Sequence, residues 1–152
     1  MKKTDLAYMA GLFDGEGCIC IGKSKQKNGK DRYTLKVHIT MANPYIPQIF
    51  RMAFGGYFVL RTAAQTKHLP TWRWSVEANL ATDFLEVLSP YLKLKKSEAI
   101  LAIEFQRAKY GTGSRLGFSR YSRKTEKERA LEEVQYILMK NLKDKSGVGY
   151  GK

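Results

Sequence analysis

The sequence predicts an α+β domain in which helices alternate with antiparallel β-hairpins. Helical spacing of apolar residues marks 6–13, 46–53, 81–88 and 96–110. Strict apolar–polar alternation marks 31–41 and 71–77, each preceded by a second extended stretch and a polar turn. The resulting order is helix, hairpin, helix, hairpin, helix, followed by further helices toward the C-terminus.

One domain accounts for nearly the whole chain. At 152 residues, with 43% hydrophobic residues, the chain can bury a sizeable core. No internal repeat divides it. We assign 1–145 to this domain and expect the glycine-containing tail, 146–152, to be disordered.

The composition is strongly basic. The formal net charge is +13 and the pI is about 9.8, values that indicate a polyanionic partner. A membrane surface is the competing polyanion, but no long apolar span, signal peptide or lipidation motif is present, so we expect no membrane partner. Cys18 and Cys20 are too close in sequence to form a disulfide that stabilises a domain. This favours a reducing, intracellular setting, whether cytoplasm, nucleoid or organelle.

The first helix carries a stripe of small residues. Thr4 or Asp5 can cap it, and Ala7, Gly11 and Gly15 share one face, where a second backbone can approach closely. If that backbone belongs to a second copy of the chain, two Glu16 carboxylates meet near a two-fold axis. Oxygen ligands of this kind suit Mg²⁺. The alternative is a surface helix whose terminal acids are solvated.

The first hairpin, Cys18–Lys25 and Asp31–Met41, has one basic face. Tyr33, Leu35, Val37, Ile39 and Met41 point one way along its second strand, and Arg32, Thr34, Lys36, His38 and Thr40 point the other. Such a ribbon fits the major groove of DNA, with Lys23 and Lys25 as further DNA-binding candidates. An ordinary solvated sheet face is the alternative.

A capped helix leads to the second hairpin. Asn43 and Pro44 open this helix, whose predicted apolar face is Ile46, Ile49, Phe50 and Ala53. The hairpin strands are Tyr57–Thr62 and Thr71–Glu77, with Arg61 and Arg73 as DNA-binding candidates. Alternation leaves open which face of the strand at 71–77 meets DNA, although tryptophan stripes are more often core.

The C-terminal part contains a cationic segment and a closing helix. Arg120 and Arg123 lie in a glycine-rich stretch that is either a phosphate-contacting loop or a charged linker. Thr125 and Glu128 predict a capping box, and the closing helix has a predicted apolar face of Leu131, Val134, Leu138 and Leu142.

A cysteine–histidine metal site is a further alternative. Suitable ligands are present in Cys18, Cys20, His38 and His68. Their spacing, however, lacks the two closely spaced ligand pairs of common zinc modules. The sequence alone therefore does not favour it.

Residues 9–17 resemble the motif of the LAGLIDADG homing endonucleases. Five positions are identical, and the replacements at the other four are conservative. The identical residues are Ala10, Gly11, Leu12, Asp14 and Gly17, and the replaced ones are Met9, Phe13, Gly15 and Glu16. A second stretch, Ser89–Lys96, is similar to the segment that carries a lysine near the scissile phosphate in single-motif members. The resemblance extends in order to about residue 110.

The resemblance implies an αββαββα core with extra C-terminal helices, whose saddle-shaped antiparallel sheet straddles double-stranded DNA. It implies a homodimer packed through Ala7, Gly11, Asp14 and Gly15. Glu16 falls at the metal-binding acid, with the Gly15 carbonyl beside it, and Lys95 falls at the catalytic lysine.

The activity implied is Mg²⁺- or Mn²⁺-dependent cleavage of both strands of a long pseudo-palindromic target, as in intron homing. Two positions depart from the pattern: Met41 stands where relatives often carry glutamine, and Tyr45 lies near a frequent arginine. An intron RNA maturase or a cleavage-inactive DNA-binding protein is the main alternative. An unrelated RNA-binding domain is less favoured, because no aromatic RNP pattern is present.

Overall fold

The computed structural model describes residues 1–61, 70–109 and 124–147, which form five helices and four strands. The fold is α+β, as the sequence predicts. In chain order the elements are α1 (Lys3–Glu16), β1 (Gly17–Lys25), β2 (Asp31–Met41), α2 (Tyr45–Phe54), β3 (Tyr57–Arg61), β4 (Thr71–Glu77), α3 (Ala78–Leu88), α4 (Lys96–Lys109) and α5 (Glu126–Gly147).

The strands form one open antiparallel sheet with the order β1-β2-β4-β3. The two hairpins meet in the middle, where β2 pairs with β4 and Thr40 lies opposite Arg73. Within the first hairpin Cys18 lies opposite His38. Because side chains alternate along a strand, these pairs define which residues share each face.

The core lies between one face of the sheet and the helices. Ile19, Leu35, Val37, Ile39 and Trp74 are fully buried on that face. The helices contribute aromatic rings, with the Phe84 centroid 5.0 Å from those of Phe13 and Trp74. The Trp74 indole N–H donates to the Gly55 carbonyl at 2.7 Å, so the tryptophan stripe is core.

The predicted helices differ from the structure in detail. α1 begins at Lys3, where the Asp5 carboxylate accepts a hydrogen bond from the Lys2 N–H at 3.1 Å. In α2, Asn43 Oδ1 accepts from the Tyr45 N–H at 2.8 Å, the predicted cap. Ala53, however, is exposed and Phe54 packs toward the core instead, so this part of the predicted apolar face is wrong.

The predicted apolar face of α5 is also wrong. Leu131, Val134 and Leu138 are about half exposed, and Met139 is buried. The helix is instead turned so that Glu132 is buried, 2.5 Å from the Lys124 ammonium and 3.8 Å from that of Lys109. The capping box of Thr125 with Glu128 is confirmed, and α5 continues two residues past 145.

Lys109 joins α4 to the sheet. Its ammonium donates to the Tyr33 carbonyl, and burial lowers the pKa of this lysine to about 8. The Tyr136 ring of α5 packs 5.4 Å from the Tyr33 ring. The C-terminal helices therefore attach to the β1–β2 end of the sheet.

Gly17 makes the abrupt change from α1 to β1 possible. A Cβ built there would lie 2.3 Å from the Phe13 side chain and 2.5 Å from its carbonyl oxygen. No larger residue fits unless α1 moves. Glu16 thus stands at the last position of the helix, with the sheet starting directly after it.

Asp14 ties the end of α1 to the segment before α4. Its carboxylate is buried and accepts the Lys93 N–H at 2.7 Å and the Lys95 N–H at 3.0 Å. Two main-chain donors at alternate residues are thus satisfied by the two oxygens of one side chain. This contact fixes the position of the Lys95 main chain, from which the Lys95 side chain extends.

We expect Asp14→Asn to lower the free energy of unfolding by about 1.5–3 kcal/mol, because one charge-assisted acceptor becomes an NH₂ group facing a donor. Urea denaturation measures this change. The control is Asp5→Asn, which alters a single exposed cap contact and should cost under about 1 kcal/mol. Equal losses for the two variants would contradict an anchoring role for Asp14.

Candidate active site and nucleic-acid interface

The structure brings the two predicted catalytic residues to one end of α1. Glu16 is the exposed last residue of the helix, and Gly15 beside it is also exposed. The Lys95 ammonium donates to the backbone carbonyl of Asp14, two residues before Glu16. These residues are separated by about 80 positions in sequence, yet they share one local site.

This end of α1 favours cations. A helix C-terminus carries partial negative charge on its unpaired carbonyls, and Glu16 adds a full negative charge there. Lys95 supplies one cation to this position. Exposed carboxylate and carbonyl oxygens are also the ligand type that Mg²⁺ prefers, so the donor set fits the predicted metal.

A buried acid that the sequence analysis missed lies behind this site. Glu98, in the first turn of α4, is buried, and its Oε2 has no hydrogen-bond partner among the described residues. Burial raises the pKa of its carboxyl, against the opposing influence of Lys143 and Lys95. Its position three residues after Lys95, in the first turn of a predicted helix, is the sequence signal from which it could have been found.

The sheet face opposite the helices is basic. Four cations lie on the described strands of this face, namely Arg32, Lys36, Arg61 and Arg73, against one acid, Glu77. Glu77 lies 3.0 Å from the Lys36 ammonium. Thr34, His38, Thr40 and Ser75 add hydrogen-bonding groups to the same face. We call this surface the open face.

The register settles the orientation of the second hairpin. Arg73 lies opposite Thr40 and donates from Nε to its hydroxyl at 3.0 Å. Partial burial lowers the pKa of Arg73, and the nearby Arg61 guanidinium lowers it further. Arg61 and Arg73 therefore share the open face with Arg32, and Trp72 lies on the other side.

Lys23 and Lys25 do not lie on the open face, and their DNA binding stays a prediction. They lie at odd-numbered positions of β1, where side chains face the helices. The ammonium groups lie 3.1 Å and 2.9 Å from the Asp31 carboxylate. Lys23 also lies 3.5 Å from Glu133 of α5, so both lysines are engaged in ion pairs on the helix side.

Three of the four cysteine and histidine ligands considered above do come together on the open face. One ligand atom each from Cys18, Cys20 and His38 lies within 4.8 Å of the others. Hydrogen bonds from Cys20 and His38 hold the pKa of the Cys18 thiol well below its usual value. His68 lies outside the described residues, as do Arg120 and Arg123.

The small-residue stripe of α1 is open. Ala7, Gly11 and Gly15 are exposed, and a Cβ built at either glycine meets nothing within 4 Å. Asp14, the fourth predicted interface residue, is instead engaged within its own chain. At the two departures from the family pattern, Met41 packs against the core and Tyr45 is exposed at the start of α2.

Among the described residues, no helix combines the length and the apolar character needed to cross a membrane. No protein-family model matches the sequence, and no curated protein matches it.

Solved structures do match the fold. An archaeal intron-encoded homing endonuclease, I-Vdi141I, solved in complex with DNA, superposes with a TM-score of 0.74 and 17% identity, covering 100% of this chain and 90% of that one. The homing endonuclease I-CvuI, in complex with its target, gives a TM-score of 0.62 and 18% identity over 98% of this chain and 84% of that one. The homing endonuclease I-TnaI gives a TM-score of 0.57 and 16% identity over 93% and 97%.

The similarity covers almost the whole length of this chain and of each of these structures. The chain has the fold of the LAGLIDADG homing endonucleases.

Proposed function

We propose that this protein is a site-specific DNA endonuclease that needs a divalent metal and cuts both strands of a long, pseudo-palindromic target. The observation that carries the proposal is the convergence of Glu16 and Lys95 at the end of α1, next to a basic sheet face. The fold neighbours support it, since I-Vdi141I and I-CvuI were solved with DNA. I-CvuI structures were obtained in the presence of Ca or Mg.

Glu16 and the Gly15 carbonyl would hold Mg²⁺ or Mn²⁺ at the helix end. When bound, such an ion polarises the phosphodiester and lowers the pKa of a water molecule. Lys95 would place its ammonium against the non-bridging oxygens, where negative charge grows in the transition state. The Asp14 contacts hold the Lys95 backbone, which fixes the point from which the lysine side chain would reach the phosphate.

A second copy of the chain completes the proposed enzyme. One open face covers one half-site, and a two-fold axis along the α1 stripe would bring two such faces and two Glu16 residues together. The exposed backbone at Gly11 and Gly15 allows the two helices to approach closely. Each Glu16 then serves one strand of the duplex.

The presence of both Glu16 and Lys95 favours cleavage over a purely DNA-binding role. An intron RNA maturase with the same fold would keep the basic face but would not need metal at Glu16. Comparing duplex DNA with structured intron RNA as ligands therefore separates the two functions.

We expect Glu16→Gln to abolish metal-dependent cleavage while leaving DNA affinity nearly unchanged, because it removes the metal-binding charge but little surface. Lys95→Met should slow cleavage by about 10²-fold or more. Cleavage is measured on duplexes selected from a randomised library. The matched control is Lys93→Met, whose exposed side chain leaves the backbone contact to Asp14 intact. Full activity of Glu16→Gln would remove Glu16 from the active site.

Arg32→Ala should relax base preference at one position in each half-site, with a loss of about 1–3 kcal/mol if Arg32 makes a bidentate base contact. Lys25→Ala is the matched control, because Lys25 lies on the helix side of the same hairpin. Site selection at constant salt concentration compares the two variants. An unaltered selected sequence for Arg32→Ala, with a changed one for Lys25→Ala, would mean that the open face does not read DNA.

Gly11→Leu should leave the folded monomer at least as stable, since the position is open and leucine favours helix over glycine by up to about 1 kcal/mol. The dimer should dissociate, because overpacking costs about 1–3 kcal/mol at each of two related sites. Sedimentation velocity and urea denaturation together separate these effects. Glu104→Leu, on the exposed surface of α4, controls for added apolar surface. A wild-type monomer at micromolar concentration with DNA would contradict the dimer.

A further inference from the structure

The open face carries a cluster of soft ligands that the endonuclease reaction does not use. Cys18 and Cys20 are alternate residues of β1, so both side chains leave the sheet on the same side. His38 of β2 lies directly opposite Cys18. The paired strands therefore hold three ligand-bearing side chains on adjacent positions of one rigid surface.

The separations suit a tetrahedral metal. With metal–ligand distances of about 2.0–2.3 Å, neighbouring ligand atoms in a tetrahedron lie about 3.5–3.8 Å apart. The ligand atoms of Cys18, Cys20 and His38 all lie within 4.8 Å of one another. Side-chain rotations that close the gaps by at most about 1.3 Å would bring them to these separations without moving the strands.

The ligand types select the metal. Sulfur and imidazole ligands favour Zn²⁺ and other thiophilic cations, whereas Mg²⁺ favours oxygen. We propose that Cys18, Cys20 and His38 bind a thiophilic divalent cation such as Zn²⁺, at a site separate from the Mg²⁺ site of Glu16. Three protein ligands leave one coordination position for water or another small ligand.

Lys143 is the charged neighbour of this site. Its ammonium donates to Cys18 Sγ at 3.0 Å. A bound dication would replace the Lys143 ammonium as the positive partner of the sulfur. The Lys143 side chain would then have to move away from Cys18. Any thiol proton is released to solvent as the metal–sulfur bond forms, so binding should weaken as the pH falls.

Metal occupancy should oppose DNA binding, a consequence that rests on the proposed function. A His38 imidazole that coordinates metal has one ring nitrogen occupied and its ring orientation fixed, so it can no longer turn toward a base, and the bound ion would also cover Cys18 and Cys20 on the same open face. By linkage, a metal that weakens DNA binding must itself be bound more weakly in the DNA complex. The cluster would thus make target binding sensitive to free zinc.

The first experiment measures the metal site without DNA. Reduced, metal-free protein is titrated with Zn²⁺ by calorimetry and with Co²⁺ by absorption. We expect one metal per chain, a thiolate-to-cobalt charge-transfer band, and no displacement by excess Mg²⁺. No zinc binding by the folded wild-type protein would overturn the proposal.

Variants locate the bound metal. Cys20→Ser and His38→Gln should each weaken Zn²⁺ binding by at least about 10-fold, and Cys20→Ser should also reduce the charge-transfer band. Ser24→Ala, on the same face of β1, and Glu16→Gln should bind as the wild type does. Urea denaturation shows which variants remain folded. Zinc binding that is lost in Glu16→Gln but kept in folded His38→Gln would place the metal elsewhere.

The second experiment tests the consequence for DNA. With Ca²⁺ present, saturating Zn²⁺ should weaken binding of the selected duplex by at least about fivefold, the lower end of the value of a base contact. At a Zn²⁺ concentration that saturates the wild type but lies below the dissociation constant of Cys20→Ser, the same zinc should have little effect on DNA binding by this variant. Zinc binding without an effect on DNA would reject the coupling alone, whereas failure of the wild type to bind any duplex would reject the proposed function and leave the metal result standing.

Discussion

The contact between the Asp14 carboxylate and the main chain at Lys93 and Lys95 is the constraint on which the site depends. It joins the end of α1 to the segment before α4. The Lys95 ammonium adds a further link between the two by donating to the Asp14 carbonyl. Gly17 adds the second requirement, because only a glycine lets β1 begin at this point beside Phe13. The acid, the lysine and the sheet edge are therefore held together by two positions of one motif, Asp14 and Gly17.

Successive side chains of each strand point to opposite sides of the sheet, and the two sides differ in chemistry. On one side the alternate residues are apolar and fully buried, as Leu35 and Val37 are. On the other, they are basic or hydrogen-bonding, as Arg32 and Lys36 are. The same alternation that positions the core thus exposes the groups that can contact a polyanion. Lys36 and Arg73 are partly engaged by neighbours on their own face, which restrains their side chains before any partner arrives.

Local patterns in the sequence predicted most of the fold. The bounds of β2 follow from strict alternation, and the cap at Asn43 follows from its position before Pro44. Tertiary contacts decided the rest. Burial of Glu132 turns α5 away from its leucine stripe. Lys23 and Lys25 lie on the helix side because they share the parity of Ile19 and Ile21, and they form ion pairs with Asp31 there. Spacing along the sequence also did not indicate that Cys18, Cys20 and His38 lie together, because His38 belongs to β2, the strand that pairs with the strand of the two cysteines.

The alternation of side chains along β2 also constrains how the open face can change. A residue on the open face can be exchanged without opening a cavity, because its side chain does not enter the core. Insertion or deletion of a single residue would instead exchange the two faces and place Arg32 and Lys36 among the aromatic rings. The chemistry of the open face can therefore be altered by substitution along unchanged strands, and changes in length are confined to the turns, such as 26–30 between β1 and β2.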